Sequence, residues 1–256
     1  MDLLRRWQQK LKRDALALEA VYHTLLSGSD DPDALHALRV AVRGLRARLT
    51  PFTELPAVAA IRNELGALAH DTNALRDDEV MRELLAALPG SAPLLARLAP
   101  PDRSTPLSAI LATHLASVDA LHQRVLSAVD LLESAQVASA SRLATRRARR
   151  KLQRALAVLT PATPAHDWHA ARLLVKKARY LHEGQALWLD LHWRRFGAQC
   201  KPAQEALGHL HDLDVLHDRY GEHFDPALES AWQIARRRSL VDADSAVWRL
   251  NRILQP

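Results

Sequence analysis

His36-Ala37-Leu38-Arg39-Val40-Ala41-Val42-Arg43-Gly44-Leu45-Arg46 and His169-Ala170-Ala171-Arg172-Leu173-Leu174-Val175-Lys176-Lys177-Ala178-Arg179 carry one pattern, offset by 133 positions. On a helix, steps of three, four and three residues bring His36, Arg39, Arg43 and Arg46 onto a single stripe. The stripe climbs about 15 Å at about 1.5 Å per residue. His169, Arg172, Lys176 and Arg179 repeat it. Val40, Ala41, Val42 and Leu45 are expected to cover the opposite side and face the core.

Outward from these stretches, Leu75-Arg76-Asp77-Asp78-Glu79-Val80 is answered by Leu210-His211-Asp212-Leu213-Asp214-Val215, offset by 135. Two motifs in the same order at nearly the same offset argue for duplication. The expected organisation is one domain over 1–256, made of repeat 1 (1–135) and repeat 2 (136–256). The composition agrees with helices throughout. The chain holds 46 Leu and 44 Ala in 256 residues, against 8 Gly and 3 Phe. Leu, Ala and Arg favour helices, and the β-branched and aromatic residues that strands prefer are scarce, which excludes an all-β or parallel α/β protein.

Breakers divide the chain into eight expected helices. They run from about Asp2 to Leu26, Pro32 to Thr50, Pro56 to Leu88 with a kink, Pro106 to Ser134, Ser139 to Leu159, Pro164 to Leu191, Trp193 to Tyr220 and Pro226 to Leu254. Asp31 is the expected N-cap of the second, with Pro32 at its first position. Residues 89–106 hold five prolines and read as a loop with at most one helical turn. Leu107, Ile110, Leu111, Leu115, Val118, Leu121, Val125 and Val129 have the spacing of a bundle helix.

Charge is segregated. Net charge is +6. Residues 34–53 carry Arg39, Arg43, Arg46 and Arg48 with no acid, and residues 135–165 carry seven basic residues, again with none. Acids gather at 71–83 and 212–225. Helices that are merely solvated usually alternate the two signs in i,i+4 pairs. A row of guanidiniums is a poor catalyst, because Arg does not titrate near neutrality. It suits phosphate oxygens, which its planar donors hold in bidentate fashion. The implied partner is a repeating anion that spans several turns of helix. Asp77, Glu79, Asp212 and Asp214 are expected to cap helices or to pair with the basic stripe.

The pattern His-x-x-Arg-Val-x-x-Arg-x-x-Arg, then Arg-Asp-x-[Asp/Glu]-Val, then a second similar half resembles the CHAD family (conserved histidine α-helical domain). The resemblance extends from His36–Phe52 through Leu75–Val80 and His169–Glu183, where Arg179-Tyr180-Leu181-x-Glu183 stands, to Gln204-x-x-Leu207-Gly208-x-Leu210-x-Asp212. It implies an all-α fold of two four-helix bundles related by internal pseudo-two-fold symmetry, with a basic central channel. It also implies binding of inorganic polyphosphate, often at polyphosphate granules, with a polyphosphate-processing enzyme as a possible partner. Carried over by position, the polyphosphate contacts are His36, Arg39, Arg43, Arg46, His169, Arg172, Lys176 and Arg179, with Lys177 beside them. Arg146, Arg149 and Arg150 are further candidates from the cluster that precedes the second motif. Two departures stand out: Gly44 replaces a second basic residue in the first half, and Thr72-Asn73 replaces the pair seen as Leu207-Gly208.

No nucleophile or phosphate-binding glycine loop accompanies the stripes, so no enzymatic activity, cofactor or metal is expected. Adjacent pairs (His70-Asp71, His166-Asp167, His211-Asp212, His217-Asp218) raise the alternative of a metal-dependent phosphohydrolase, whose ligands would have to converge from separate places. Non-specific nucleic-acid binding is the other alternative, since nucleic acid too is a polyanion bound through phosphates. It has no helix-turn-helix, zinc finger or RNA-binding signature here, and is expected only as a weaker competitor. Trp188, Trp193, Trp232 and Trp248 read as core or rim rather than stacking platforms. The single cysteine, Cys200, rules out an internal disulfide framework. No run approaches the roughly 18 apolar residues of a membrane span, and the N-terminus lacks a signal-peptide core, so a cytoplasmic protein with no membrane partner is expected.

Overall fold

The computed structural model describes residues 2–29, 31–72, 74–98 and 106–255. All regular structure among them is helical. The α-helices are α1 (Leu3–Leu26), α2 (Pro32–Leu49), α3 (Pro56–Asp71), α4 (Ala74–Ala86), α5 (Ala92–Arg97), α6 (Leu107–Ala112), α7 (Leu115–Val118), α8 (Leu121–Val129), α9 (Ser134–Leu156), α10 (Ala165–Gln185), α11 (Leu191–Arg194), α12 (Phe196–Gln199), α13 (Lys201–Tyr220) and α14 (Pro226–Leu254). None of the described helices is long and apolar enough to cross a membrane.

The termini follow local chemistry. The Asp31 carboxylate accepts the Asp33 N–H and Pro32 opens α2, while Asp225 accepts from Leu228 N and Pro226 opens α14. After α1 the chain turns through Gly28 at φ +95°, a left-handed conformation that glycine adopts without a Cβ penalty.

Three expected helices are broken, while the fifth starts earlier than expected, at Ser134, and the sixth ends earlier, at Gln185. The third ends at Asp71, where the buried Thr72 turns its hydroxyl back to Leu68 O at 2.8 Å, and α4 starts afresh at Ala74. The fourth divides into α6, α7 and α8. His114 turns aside at the first break, its Nε2 2.8 Å from Asp71, and Ala120 stands at φ +48° at the second. The start of the seventh is two single turns, α11 and α12, before α13 begins with Pro202 in its first turn.

The chain forms two compact units. The first comprises Met1–Ala74, Asp102–Arg146 and Tyr180–Arg195. Its core takes Trp7, Leu11, Leu18, Tyr22 and Leu25 from α1, Leu38, Val42, Leu45 and Leu49 from α2, and Val58, Ile61, Leu65 and Leu68 from α3. Leu121, Val125 and Val129 of α8 complete it. Trp7 meets Phe52 edge-on at 5.3 Å. Each fully buried aliphatic side chain contributes on the order of 1.5–3 kcal/mol.

The end of α10 also belongs to this unit, and it locks onto the last turn of α2. Gln185 Nε2 donates to Ala47 O at 3.2 Å and Arg48 O at 2.9 Å. Its Oε1 accepts from Ser141 Oγ at 2.8 Å. Arg48 joins Asp14 and donates to Gly184 O at 3.1 Å. Ala47 O already accepts the Thr50 N–H, so Gln185 gives it a second donor and ties the end of α2 to α10.

The second unit comprises Leu75–Pro101, Arg147–Arg179 and Phe196–Pro256. Here α13 buries Ala203, Leu207, Leu210, Leu213 and Leu216, and α14, packed against it, buries Ala243, Ala246, Val247 and Leu250. Met81, Leu85, Leu88 and Leu94 close one end against Leu216, Tyr220 and Leu228.

Candidate functional site

On α2 the buried line is Leu38, Val42, Leu45 and Leu49. Arg39, Arg43 and Arg46 each follow a buried residue by one position, about 100° further round the helix. The arginines therefore flank the core line rather than oppose it. Val40, expected to face the core, is 41% exposed, because it lies two positions on from Leu38 and so points to solvent. The same relation holds on α10. Ala171, Val175, Ala178 and His182 are buried, and Arg172, Lys176 and Arg179 follow Ala171, Val175 and Ala178 by one position. The stripe side chains from Arg39 to Arg46 and from His169 to Arg179 are half-buried. His36 and Lys177 are exposed.

In the first unit the stripe lies along α3. Arg39 Nη1 donates to Thr72 O at 3.4 Å, where the negative end of the α3 dipole favours a cation. The Arg43 guanidinium sits 4.3 Å from the centre of the Tyr180 ring, a cation–π contact that orders the charge without neutralising it. Arg46 occupies space that only a glycine leaves open, since a Cβ on Gly66 would stand 3.1 Å from Arg46 Nη2. Arg62 Nε donates to Arg46 O at 3.2 Å. Burial, together with the neighbouring Arg46 charge, pushes the Arg62 guanidinium below its ordinary range. Arg46 Nε is buried without a hydrogen-bond partner. Among the described residues no ion pair includes Arg43, Arg46 or Arg62. Like charges held together by neutral groups make a site that an anion relieves. Arg62 went unread in the sequence because Asn63-Glu64 follow it and make the stretch look like an ordinary mixed-charge surface. The Glu64 carboxylate turns instead to Arg124, 2.6 Å away.

In the second unit His169 Nδ1 lies 3.0 Å from His211 Nδ1, with ring centroids 4.3 Å apart. Burial lowers His211 to a pKa of about 4; the Arg172, His169 and Lys176 charges lower it too, while Asp218 opposes them. His211 is thus neutral at neutral pH. Both rings line a small cavity with Trp168, Leu207, Leu210 and Asp214. The Trp168 indole N–H is buried and lacks a hydrogen-bond partner.

Asp214, expected to cap a helix or pair with the basic stripe, does neither: it lies inside α13 and takes Arg236 Nε of α14 at 2.5 Å. Of the motif over residues 75–80, Asp77, Glu79 and all but Val80 lie outside the described side chains, and Val80 packs against the core of the second unit. On α9, Arg146 and Arg150 are exposed and Arg149 is half-buried. Gly44 has nothing within 4 Å of a Cβ built on it. The adjacent pairs meet different fates. His217 takes Glu229 at 3.1 Å and stacks on Trp232, His114 claims Asp71, and His166 meets Asp167 on exposed surface. Trp188 is in the core, Trp193 and Trp232 are half-buried at its rim, and Trp248 is 59% exposed with Arg252 over its ring.

Chemically, both faces hold half-buried cations at one-turn spacing, the first with an added guanidinium at Arg62 and the second with an imidazole pair. Solved structures share the fold. The crystal structure of the CHAD domain from the plant Ricinus communis superimposes with a TM-score of 0.61 at 22% identity, covering 97% of this chain and 89% of that one. PptA from Streptomyces chartreusis gives a TM-score of 0.63 at 19% identity, covering 98% of each chain. No curated protein matches. The model of the CHAD domain matches residues 13–221, a span that takes in both basic stripes, the Arg62 neighbourhood and the His169–His211 pair, and the chain belongs to the CHAD domain family.

Proposed function

We propose that this chain binds inorganic polyphosphate, without turning it over, through the basic faces of α2 and α10. The observation that carries the reading is the Arg46–Arg62 neighbourhood, where two like charges adjoin, one with a buried N–H lacking any acceptor. Charge-assisted bonds from guanidinium to phosphate are among the stronger polar contacts available to a protein. The family resemblance supports phosphate over other anions. His36, Arg39, Arg43, Arg46, His169, Arg172, Lys176, Lys177 and Arg179 are the contacts, with Arg62 added, and Arg146, Arg149 and Arg150 as outer contacts. A protein of this kind serves in the cytoplasm at polyphosphate granules, alone or beside a polyphosphate-processing enzyme.

Calorimetric titration with long-chain polyphosphate tests this, with tripolyphosphate and single-stranded nucleic acid as competitors. Affinity should fall linearly on a logarithmic salt axis as counterions are released. The Arg39→Ala/Arg43→Ala and Arg172→Ala/Lys176→Ala variants should each weaken binding about tenfold or more, since a hydrogen bond to a charged group contributes roughly 1.5–3 kcal/mol. Equal competition by nucleic acid per phosphate, or indifference to both pairs in folded variants, would leave only a general basic surface.

A further inference from the structure

Two imidazole nitrogens 3.0 Å apart can share only one proton. One Nδ1 must donate and the other must accept, so the His169–His211 pair carries one imidazolium at most. The groups around it decide where that charge sits. Arg172 and Lys176 of α10 and Asp218 of α13 act on His211. Asp214 of α13 lines the same cavity and is engaged by Arg236 of α14. His211, desolvated and next to those cations, resists protonation. In the charged pair it is therefore the acceptor, and His169 carries both ring protons. With Nδ1 committed to His211, His169 Nε2 makes no hydrogen bond among the described residues. While Nδ1 donates to His211, that Nε2 bears a proton for a phosphate oxygen only in the imidazolium form.

We propose that His211 is a positioning residue: by accepting the His169 Nδ1–H it turns His169 into a cationic phosphate donor, so that polyanion binding along α10 takes up a proton. The inference rests on the polyphosphate reading of the α10 face. The one covalent change is the N–H bond that completes the His169 imidazolium; every other contact is a hydrogen bond or a charge interaction. The proton comes from solvent, and the incoming phosphates favour it by offsetting the Arg172 and Lys176 charges. Binding should then strengthen as pH falls through neutrality, by up to about tenfold per pH unit where one proton is linked.

The test is titration with long-chain polyphosphate near pH 7 in buffers of differing ionisation enthalpy, which counts protons exchanged on binding. Long chains are used because their internal phosphates do not titrate in this range. The wild-type chain should take up a fraction of a proton, rising towards about one. His169→Asn should bind with no linked proton. His211→Asn keeps an acceptor oxygen near the Nδ1 position and should keep the uptake. His211→Leu, verified as folded by its thermal melt, should bind more weakly and lose most of the pH dependence. Wild-type binding with no proton uptake, or uptake that survives in His169→Asn, overturns the inference and leaves polyphosphate binding standing. No binding at any pH overturns both.

Discussion

His211 ties stability to pH as well as ligand binding. Its folded-state pKa of about 4 lies below the usual 6.5 of a histidine. Between those values the unfolded chain binds a proton that the folded chain refuses. The resulting stability is complete above about pH 6.5 and is lost as pH falls towards about 4. Urea midpoints measured across that window should decline with falling pH, and His211→Asn should flatten the decline. The arginine stripes were legible in the sequence because a three-four spacing is enough to align side chains on a helix. His211 and Arg62 were not, because their roles come from neighbours 42 residues away on another helix and 16 residues away across a turn. The placement of Val40 failed for a simpler reason. Steps of about 100° put the arginines beside the core line, which leaves Val40 beyond them in solvent.

At the scale of elements, α1, α2 and α14 stood in the sequence nearly as they form, since Pro32, Pro226, Asp31, Asp225 and Gly28 mark their ends chemically. The expected fourth helix shows the limit of periodicity. Leu111, Val118, Leu121, Val125 and Val129 are all buried, as their spacing demands, although the backbone breaks twice among them. Leu115 gives the break away only once its 44% exposure is seen. Nothing local announces the turn at Ala120, because alanine is the best helix former and its side chain offers nothing that favours the left-handed conformation. The contact between α10 and α2 is likewise invisible in the sequence. Gly184 packs against backbone, where a Cβ would stand 3.2 Å from Arg48 N and 3.3 Å from Ala47 C. Gly184→Ala should push the helices apart, lengthen the Gln185 bonds and lower unfolding stability by about 1–3 kcal/mol in chemical denaturation.

For the whole molecule, the all-α class followed from leucine and alanine content, and the family from motifs that recur in order along the chain. Composition says less about how the chain is apportioned. The first unit is assembled from three separated segments, and so is the second. Helices α9 and α10 each supply residues to both. Trp188, Gln185 and Tyr180 reach the first unit only after 44 further residues have passed beyond Ala135 in the chain, counting to Tyr180. The protein should therefore resist dissection. A fragment of residues 1–135, though it holds one full copy of the basic motif, lacks the Gln185 clamp on α2 and the tryptophan that closes its core. Expressed alone, it should show helical circular dichroism without a cooperative melt, and addition of residues 136–256 in trans should restore the transition. During synthesis, the early helices would have to wait for the middle of the second half to emerge before they could close, which makes the ribosome-bound nascent chain the stage at which this fold is most exposed to aggregation.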